Sequence, residues 1–240
     1  MEEAACLRIL AHGKLTLTGQ FTRSSNYTFL AACSFEGQSL QAVYKPARGQ
    51  QPLWDFAPET LPKRETAAYL FCRYLGWDFI PPTVYRIEDL PADEGSLQLF
   101  IEHDPQQNYF TLTEIERETL QALAVFDLLA NNADRKGGHI LRDQAGRLWA
   151  IDHALCFHAE PKLRTVIWDF AGRRIPDPLL QALEGLTADL SEGKPLWKDL
   201  ENYLEAKELR AIYARCAALL AEKTFPFPSH DRRAFPWPPV

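Results

Sequence analysis

The chain has 240 residues, of which 46% are hydrophobic and 24% charged, so it can form a core of ordinary size without disulfides or a structural metal. Its formal net charge of −6 argues against a broad nucleic-acid-binding surface, and no apolar run approaches the ~20 residues that cross a bilayer. Five scattered cysteines without a Cys-x-x-Cys pair predict reduced thiols, so we expect a soluble, cytoplasmic protein with no nucleic-acid partner and no integral membrane association.

Short β-type runs separated by turn signals dominate the first half of the chain. Three of them predict an antiparallel meander, at residues 15–21, 28–35 and 40–45. A helix is predicted over 62–75, with Thr60 as its cap, a proline in its first turn and Gly76 at its end. Two further strands, 84–86 and 97–101, complete a sheet of about five strands with one helix inserted after the third.

From residue 113 the pattern becomes helical. Thr113 and Glu116 form a capping box, and the apolar spacing continues through the following turns. A polar segment at 131–139 follows, and then a short hairpin built from strands at 139–141 and 148–152. Amphipathic helices are predicted within two regions, 176–186 and 196–220, before a proline-rich tail at 225–240. The sequence therefore predicts an α+β protein with a cleft between a sheet-containing half and a helical half.

The segment 131–139 concentrates polar side chains and two glycines between a helix and a hairpin. It reads Asn-Asn-Ala-Asp-Arg-Lys-Gly-Gly-His, which alone is equally typical of a helix end followed by a turn. Asp152 follows the apolar strand of the hairpin and is placed to return to the loop that holds Asp134 and His139. Two aspartates and a histidine in one place make a plausible cation site.

Two further charges matter because of their order along the chain. Lys45 ends an apolar strand and Glu65 lies early in the next helix, positions at which such side chains usually face water. Kinase chemistry, however, requires a strand lysine, a helix glutamate, an aspartate loop and a metal-binding aspartate in this order. With Asp134 and Asp152, the chain presents all four, so phosphoryl transfer is the leading hypothesis.

Both aspartate segments resemble those of known kinases. Asp134-Arg135, with a possible metal ligand five positions after the aspartate, resembles the catalytic loop of phosphatidylinositol 3-/4-kinase-like enzymes. Residues 132–135 also resemble the Asn-Thr-Asp-Arg run of type II phosphatidylinositol 4-kinases and HipA-type kinases. Residues 151–157 are similar to the Ile-Asp-Asn-Gly-Leu-Ala-Phe segment of the type II lipid kinases. The resemblance covers roughly residues 19–170 and points to a bacterial branch of this atypical kinase superfamily.

The resemblance implies a two-lobed protein-kinase-like fold in one domain, 1–240. A small antiparallel-sheet N-lobe would occupy 1–102 and end in a hinge at 98–102 that offers backbone groups to adenine. A mostly helical C-lobe would occupy 103–240 and include the tail at 225–240.

The resemblance also implies which residues bind ATP. Lys45 would neutralise the α- and β-phosphates, and Glu65 would hold Lys45 in place. A loop with Ser24, Ser25 and Asn26 would cover the phosphates. The hinge residues would be Gln98, Phe100 and Glu102.

The remaining implied roles concern catalysis and the metal. Asp134 would orient or deprotonate the acceptor hydroxyl, and Arg135 would steady the loop or the transferring phosphoryl group. Asp152 would hold the metal together with His139, which stands where the family has an asparagine. Because imidazole suits manganese better than magnesium, we expect Mn²⁺ to support activity at least as well as Mg²⁺.

Three functions stay open at this point. The first is an ATP-dependent kinase that acts on a hydroxyl acceptor. We expect a protein Ser/Thr or a small molecule as the acceptor sooner than a phosphoinositide, because no basic amphipathic helix or lipidation motif is visible. The second is a nucleotide-binding pseudokinase with a regulatory role. The third is a metal-dependent hydrolase, which would leave Lys45 and Glu65 unexplained. The hydrolase site would consist of Asp134, His139, Asp152, His153 and His158.

Overall fold

The alternating apolar residues of the first half form a five-stranded antiparallel sheet in the order β1-β2-β3-β5-β4. The computed structural model describes residues 1–22, 26–112 and 117–240, so the predicted phosphate-covering Ser24 and Ser25 and the predicted capping box at Thr113 lie outside the described residues. The first three strands form the predicted meander, and the last two pair after an inserted helix. The strands are β1 Lys14–Gln20, β2 Phe29–Phe35, β3 Gln38–Pro46, β4 Thr83–Arg86 and β5 Gly95–Leu99.

Two helices accompany this sheet, α1 Glu3–His12 and α2 Leu61–Tyr74. Sequence analysis did not predict α1, which buries Ile9 and Leu10 against the sheet. The predicted cap of α2 is wrong in detail. The Thr60 hydroxyl donates to the Ala57 carbonyl and makes no capping hydrogen bond to the helix.

The described residues of the second half form four α-helices and a two-stranded hairpin. The helices are α3 Arg117–Ala130, α4 Asp177–Asp189, α5 Pro195–Leu200 and α6 Ala206–Glu222, and the hairpin strands are β6 Ile140–Arg142 and β7 Leu148–Ala150. The main hydrophobic core runs from α2 through α3 to these helices, so it joins the two lobes. The two-lobed α+β fold predicted from the sequence is confirmed. The lobe boundary within 98–102 stays a prediction.

The proline-rich tail lies extended over the helical lobe. The Thr165 N–H donates to the Ala234 carbonyl at 3.1 Å, and the Gly137 N–H donates to the Pro239 carbonyl at 2.7 Å. A Cβ atom at Gly137 would meet the Phe110 ring at 2.9 Å and the Pro239 carbonyl oxygen at 3.4 Å, so glycine leaves room for the Phe110 ring here. The tail therefore rests on the loop that carries Asp134.

Across the described ranges, no helix is both long enough and apolar enough to cross a bilayer.

Candidate active site

Three charges meet where β3, α2 and the segment after β7 converge. The Lys45 ammonium donates to the Glu65 carboxylate and lies 3.0 Å from Asp152 Oδ1. The second oxygen of Glu65 accepts a hydrogen bond from the His153 backbone N–H at 2.9 Å. One buried glutamate thus ties the strand lysine to the aspartate segment. The structure brings these three predicted residues together.

The electrostatics keep both ends of this cluster charged. Burial alone would lower the pKa of Lys45, but the charges of Asp152 and Glu65 outweigh it and raise that pKa. Burial alone would raise the pKa of Asp152, but the Lys45 charge outweighs it and lowers that pKa. The Asp152 side chain is 44% exposed. The cluster therefore presents a fixed cation and an open carboxylate to the cleft.

A buried ion pair holds the loop that follows α3. Arg135 is fully buried, and its guanidinium donates to both carboxylate oxygens of Asp127 and to the Ile151 carbonyl. Asp127 also accepts from Asn132 at 3.0 Å and from the Thr165 hydroxyl at 3.1 Å. Of the two roles predicted for Arg135, the structure supports steadying the loop. The predicted contact with a phosphoryl group is wrong, because the guanidinium points into the core.

Asp127 was missed by the sequence analysis. A signal was present, because this acidic residue interrupts the apolar run Ala-Val-Phe-Asp-Leu-Leu-Ala in the middle of α3. A charge at such a position requires a buried partner.

Asp134 lies at the open side of the same loop. Its backbone N–H donates to the Asn132 side chain at 3.0 Å, and its carboxylate lies 3.6 Å from the Lys136 ammonium. Burial raises the pKa of Asp134 to about 6, with Lys136 opposing and Asp152 reinforcing the rise. A carboxyl with this pKa is mostly ionised at neutral pH and can still accept a proton readily.

His139 contacts Asp152 directly, with Nε2 3.2 Å from Oδ2. Its Nδ1 accepts from the Lys136 backbone N–H at 3.4 Å, so the hydrogen-bond network assigns the ring proton to Nε2. Burial lowers the pKa of His139 to about 4, which keeps the ring neutral. In this arrangement His139 donates to Asp152 and orients it. The predicted role of His139 as a metal ligand requires the ring to release that contact.

The other two histidines of the hypothetical hydrolase site have different partners. His153 is fully buried, and its Nε2 accepts from Arg135 at 2.7 Å. His158 packs its ring against Phe56 and accepts from the Glu160 N–H. The structure therefore does not assemble the five-residue set that the hydrolase hypothesis needs.

An apolar cavity of 270 Å³ lies beside Lys45, between the sheet and the hairpin. Two of the predicted hinge residues, Gln98 and Phe100, line this cavity. The third, Glu102, is exposed and does not line it, although its neighbours Ile101 and His103 do. Sequence analysis missed most of the wall, because an apolar side chain that lines a cavity has the same pattern as one that fills the core. Those further lining residues include Phe21, Val43, Leu99, Leu141, Ile151 and Ala154.

A second cavity, of 360 Å³, adjoins the first. Asn26 and Asp152 line both cavities, while Asp134 and His139 line the second. Trp237 of the tail forms part of its wall. The structure thus brings the predicted aspartates into one continuous cleft, in which one cavity is apolar and the other carries the carboxylates.

The donor set at this junction fits a hard cation that arrives with a nucleotide. Within residues 1–22, 26–112 and 117–240, no three His, Cys, Asp or Glu side chains are grouped so that they alone could hold a metal. Magnesium is commonly bound through one or two carboxylates together with substrate phosphates and water. Asp152 can supply such a carboxylate, because its side chain lines both cavities, and phosphates and water would complete the coordination. Catalytic zinc, in contrast, takes three protein ligands.

Comparison with known proteins shows which family this chain resembles and which solved structures share its fold. The family model described as phosphatidylinositol 3- and 4-kinase matches residues 56–186, which include Glu65, Asp134 and Asp152. Protein Rv2133c of Mycobacterium tuberculosis (strain ATCC 25618 / H37Rv) is 39% identical over 265 residues, which cover 96% of this chain and 94% of that protein.

Two solved structures share the fold at low sequence identity. Hydra Fam20 with sugar is 17% identical with a TM-score of 0.56, covering 90% of this chain and 87% of that one. The Helicobacter pylori proinflammatory kinase CtkA is 10% identical with a TM-score of 0.52, covering 90% and 94% respectively. These likenesses concern the two-lobed fold.

Proposed function

Because this chain belongs to the phosphatidylinositol 3- and 4-kinase family and is therefore a phosphotransferase, we propose that it transfers the γ-phosphoryl group of ATP to a hydroxyl acceptor with a divalent cation. The observation that carries this proposal is the contact among Lys45, Glu65 and Asp152 at the junction of two cavities. Phosphoryl transfer depends on positioning and on charge neutralisation, and these residues can supply both.

The apolar cavity is the proposed adenine site. Its mostly apolar lining suits an aromatic base, and Lys45, which also lines it, suits the phosphates. The Phe100 N–H already donates to the Gln41 carbonyl at 3.0 Å. The hinge donors for adenine would therefore come from the backbone beyond Phe100, at Ile101 and Glu102. Asn26 would contact the phosphates, since it lines both cavities.

Asp134 is the proposed acceptor-side residue. It would accept a hydrogen bond from the acceptor hydroxyl and take its proton as the oxygen–phosphorus bond forms and ADP departs. Asp152 would hold Mg²⁺ or Mn²⁺, and the cation would neutralise the phosphate charge. His139 would keep the Asp152 carboxylate oriented. A protein Ser/Thr side chain or a small molecule is the proposed acceptor sooner than a phosphoinositide, because the sequence shows no basic amphipathic helix or lipidation motif.

ATP with a divalent cation is expected to raise the midpoint of thermal unfolding, because a ligand of the folded state stabilises it by ~2.7 kcal/mol at one hundred times its Kd. For a chain of this size that corresponds to roughly 5–11 °C. Mn²⁺ should give a shift at least as large as Mg²⁺ if the His139 ring turns from Asp152 to the cation, because imidazole suits manganese better than magnesium. The shift should disappear in Asp152→Ala and persist in Asp199→Ala, an exposed aspartate on α5. If wild type shows no cation-dependent shift, the ATP proposal fails; if Asp152→Ala keeps the shift, Asp152 is not the cation ligand.

A nucleotide-binding regulatory protein is the alternative that this measurement leaves standing. It would show the same thermal shift but no conversion of ATP to ADP with any acceptor, and the neutral His139 at the usual asparagine position is the feature that favours it.

The value of kcat/KM is expected to rise with pH through about 6. Only the carboxylate form of Asp134 can take the acceptor proton, and burial raises the pKa of that group to about 6 in the free protein. Activity should therefore be low below this pH and level off above it. The residual activity of Asp134→Asn should lack this limb. A limb that survives in the variant would belong to another group, such as the nucleotide phosphates, and would contradict the assignment to Asp134.

A further inference from the structure

A third cavity, of 400 Å³, lies between the segment 161–168 and the tail. It shares a lining residue, Arg164, with the second cavity, which contains Asp134 and which we call the acceptor cavity. We call the third cavity the basic pocket. Among its lining residues are three arginines, a lysine, two aromatic side chains and a serine. These are Lys162, Arg164, Trp168, Phe227, Ser229, Arg232 and Arg233.

Three of these cations form no close ion pair, although the charge of Arg164 is near enough to Asp134 to act on the pKa of that carboxyl. Lys162 is paired with Asp55 at 2.9 Å. In the part of the chain that the structure describes, no Asp or Glu forms an ion pair with Arg164, Arg232 or Arg233. Three guanidinium groups at one pocket repel one another, and although solvent screens these exposed side chains in part, a bound anion would relieve that repulsion.

Two of the arginines are held in place by the backbone. Arg232 donates through Nη1 to the Pro161 carbonyl at 3.1 Å, and Arg233 donates through Nε to the Phe235 carbonyl at 3.1 Å. A guanidinium has five N–H donors, so each keeps donors for a ligand. Arginines fixed in this way can hold phosphate oxygens bidentately at a smaller entropic cost than free side chains.

Arg164 connects the basic pocket with the acceptor cavity, because it lines both. Its backbone N–H donates to the Asn132 carbonyl at 2.8 Å, and its carbonyl accepts from the Arg135 N–H at 2.9 Å. Asp134 lies between these two bonded residues. A ligand that places an anionic group in the basic pocket would therefore have its remaining atoms beside Asp134.

We propose that the basic pocket binds a phosphate group of the acceptor, so that the substrate class is a soluble small molecule that carries both a phosphate monoester and the hydroxyl to be phosphorylated. The substrate part of this inference rests on the proposed function, while the anion site itself does not. Arg164, Arg232 and Arg233 bind the phosphate, and Trp237 covers the middle of the molecule in the acceptor cavity. The hydroxyl then reaches Asp134.

The test measures calorimetric binding of inorganic phosphate to wild type, Arg164→Gln, the double variant Arg232→Gln/Arg233→Gln and a matched control. Arg210→Gln is that control, because Arg210 is an exposed arginine on α6 outside all three cavities. Each pocket variant should weaken binding by about ten- to hundredfold, and the control should not. Arg164→Lys keeps the charge but loses the bidentate geometry and should fall between wild type and Arg164→Gln.

Two further measurements test whether the bound phosphate belongs to a soluble molecule or to a lipid, and whether it binds in the basic pocket. Sedimentation with phosphatidylcholine vesicles that contain phosphatidylserine should show no arginine-dependent binding. If vesicles bind through these arginines while inorganic phosphate does not, the soluble acceptor is overturned. Phosphate binding that is equal in Arg164→Gln and Arg210→Gln, or that is lost in Lys45→Met, also overturns the proposal, since the anion then sits elsewhere.

The phosphate site and the proposed phosphoryl transfer can fail independently, and the measurements distinguish the two failures. If phosphate binds through the arginines but ATP gives no thermal shift, the anion site stands and phosphoryl transfer falls. If ATP binds in a cation-dependent way but phosphate does not depend on the arginines, phosphoryl transfer stands and this substrate class falls.

Discussion

Asp134→Asn is expected to lower the rate of phosphoryl transfer by ~10²–10⁴-fold, the usual contribution of a positioned general base. Asparagine has nearly the same shape and can still accept a hydrogen bond from the hydroxyl, but it cannot take the proton. The Asp134 side chain is 31% exposed and its ion-pair contact with Lys136 is long, at 3.6 Å, so folding should change little. Turnover is measured as ADP formed from ATP, which can be followed before the acceptor is known through basal hydrolysis or autophosphorylation.

A control variant and a binding measurement show whether a loss of turnover in Asp134→Asn reflects catalysis. Asp199→Asn changes an exposed aspartate outside the cleft and should leave turnover unchanged. The cation-dependent thermal shift with ATP should also persist in Asp134→Asn, because Lys45, Glu65 and Asp152 are untouched. Turnover close to that of wild type would contradict the acceptor-side role. A lost thermal shift would mean instead that Asp134 is needed for binding of the nucleotide and its cation.

The sheet was largely predictable because its signal is local. Strands β1 to β3 alternate apolar and polar residues between clear turns, so their predicted and observed bounds differ by one or two residues at most ends. Helix α1 was missed because only three of its residues, Cys6, Ile9 and Leu10, are buried, too few to give a periodic pattern before the first strand. The order of the elements also predicted a cleft between a sheet-containing half and a helical half, and the resemblance added the expectation that these halves form the two lobes of a kinase-like fold.

The part of the site that could be predicted from the sequence is the set of charged residues whose order along the chain is typical of kinases. Lys45, Glu65 and Asp152 could be linked from the sequence because kinase chemistry fixes their order, and the structure places them in contact. The partner of Arg135 could not be predicted in the same way, since the motif alone does not tell whether a guanidinium faces the cleft or the core. Trp237 comes from the distant tail and depends entirely on tertiary contacts.

Asp127→Ala is expected to destabilise the protein by ~3–5 kcal/mol, the usual result of removing one partner from a buried ion pair. The fully buried Arg135 guanidinium would lose the carboxylate that it contacts through Nε and Nη2, and Asn132 and Thr165 would lose an acceptor as well. The midpoint of thermal unfolding should fall by roughly 6–20 °C. Calorimetry and urea unfolding measure this change. Thr165→Val removes a hydroxyl that donates to Asp127 and accepts from the Ile167 N–H, but it leaves the ion pair intact, so it should cost less, about 2 kcal/mol.

A second buried ion pair provides a control that lowers stability without changing the geometry of the Asp134 loop. Arg64 and Glu208 join α2 to α6 at 2.7 Å, and both side chains are buried. Glu208→Ala should therefore destabilise the fold by a similar amount without touching the loop of Asp134. At a temperature at which both variants are folded, Asp127→Ala should lose phosphoryl transfer, because Arg135 no longer anchors the loop to Ile151 and α3, whereas Glu208→Ala should keep it. Equal activity in the two variants would show that the buried pair serves stability alone and that the loop holds its geometry by its backbone contacts with the segment around Arg164.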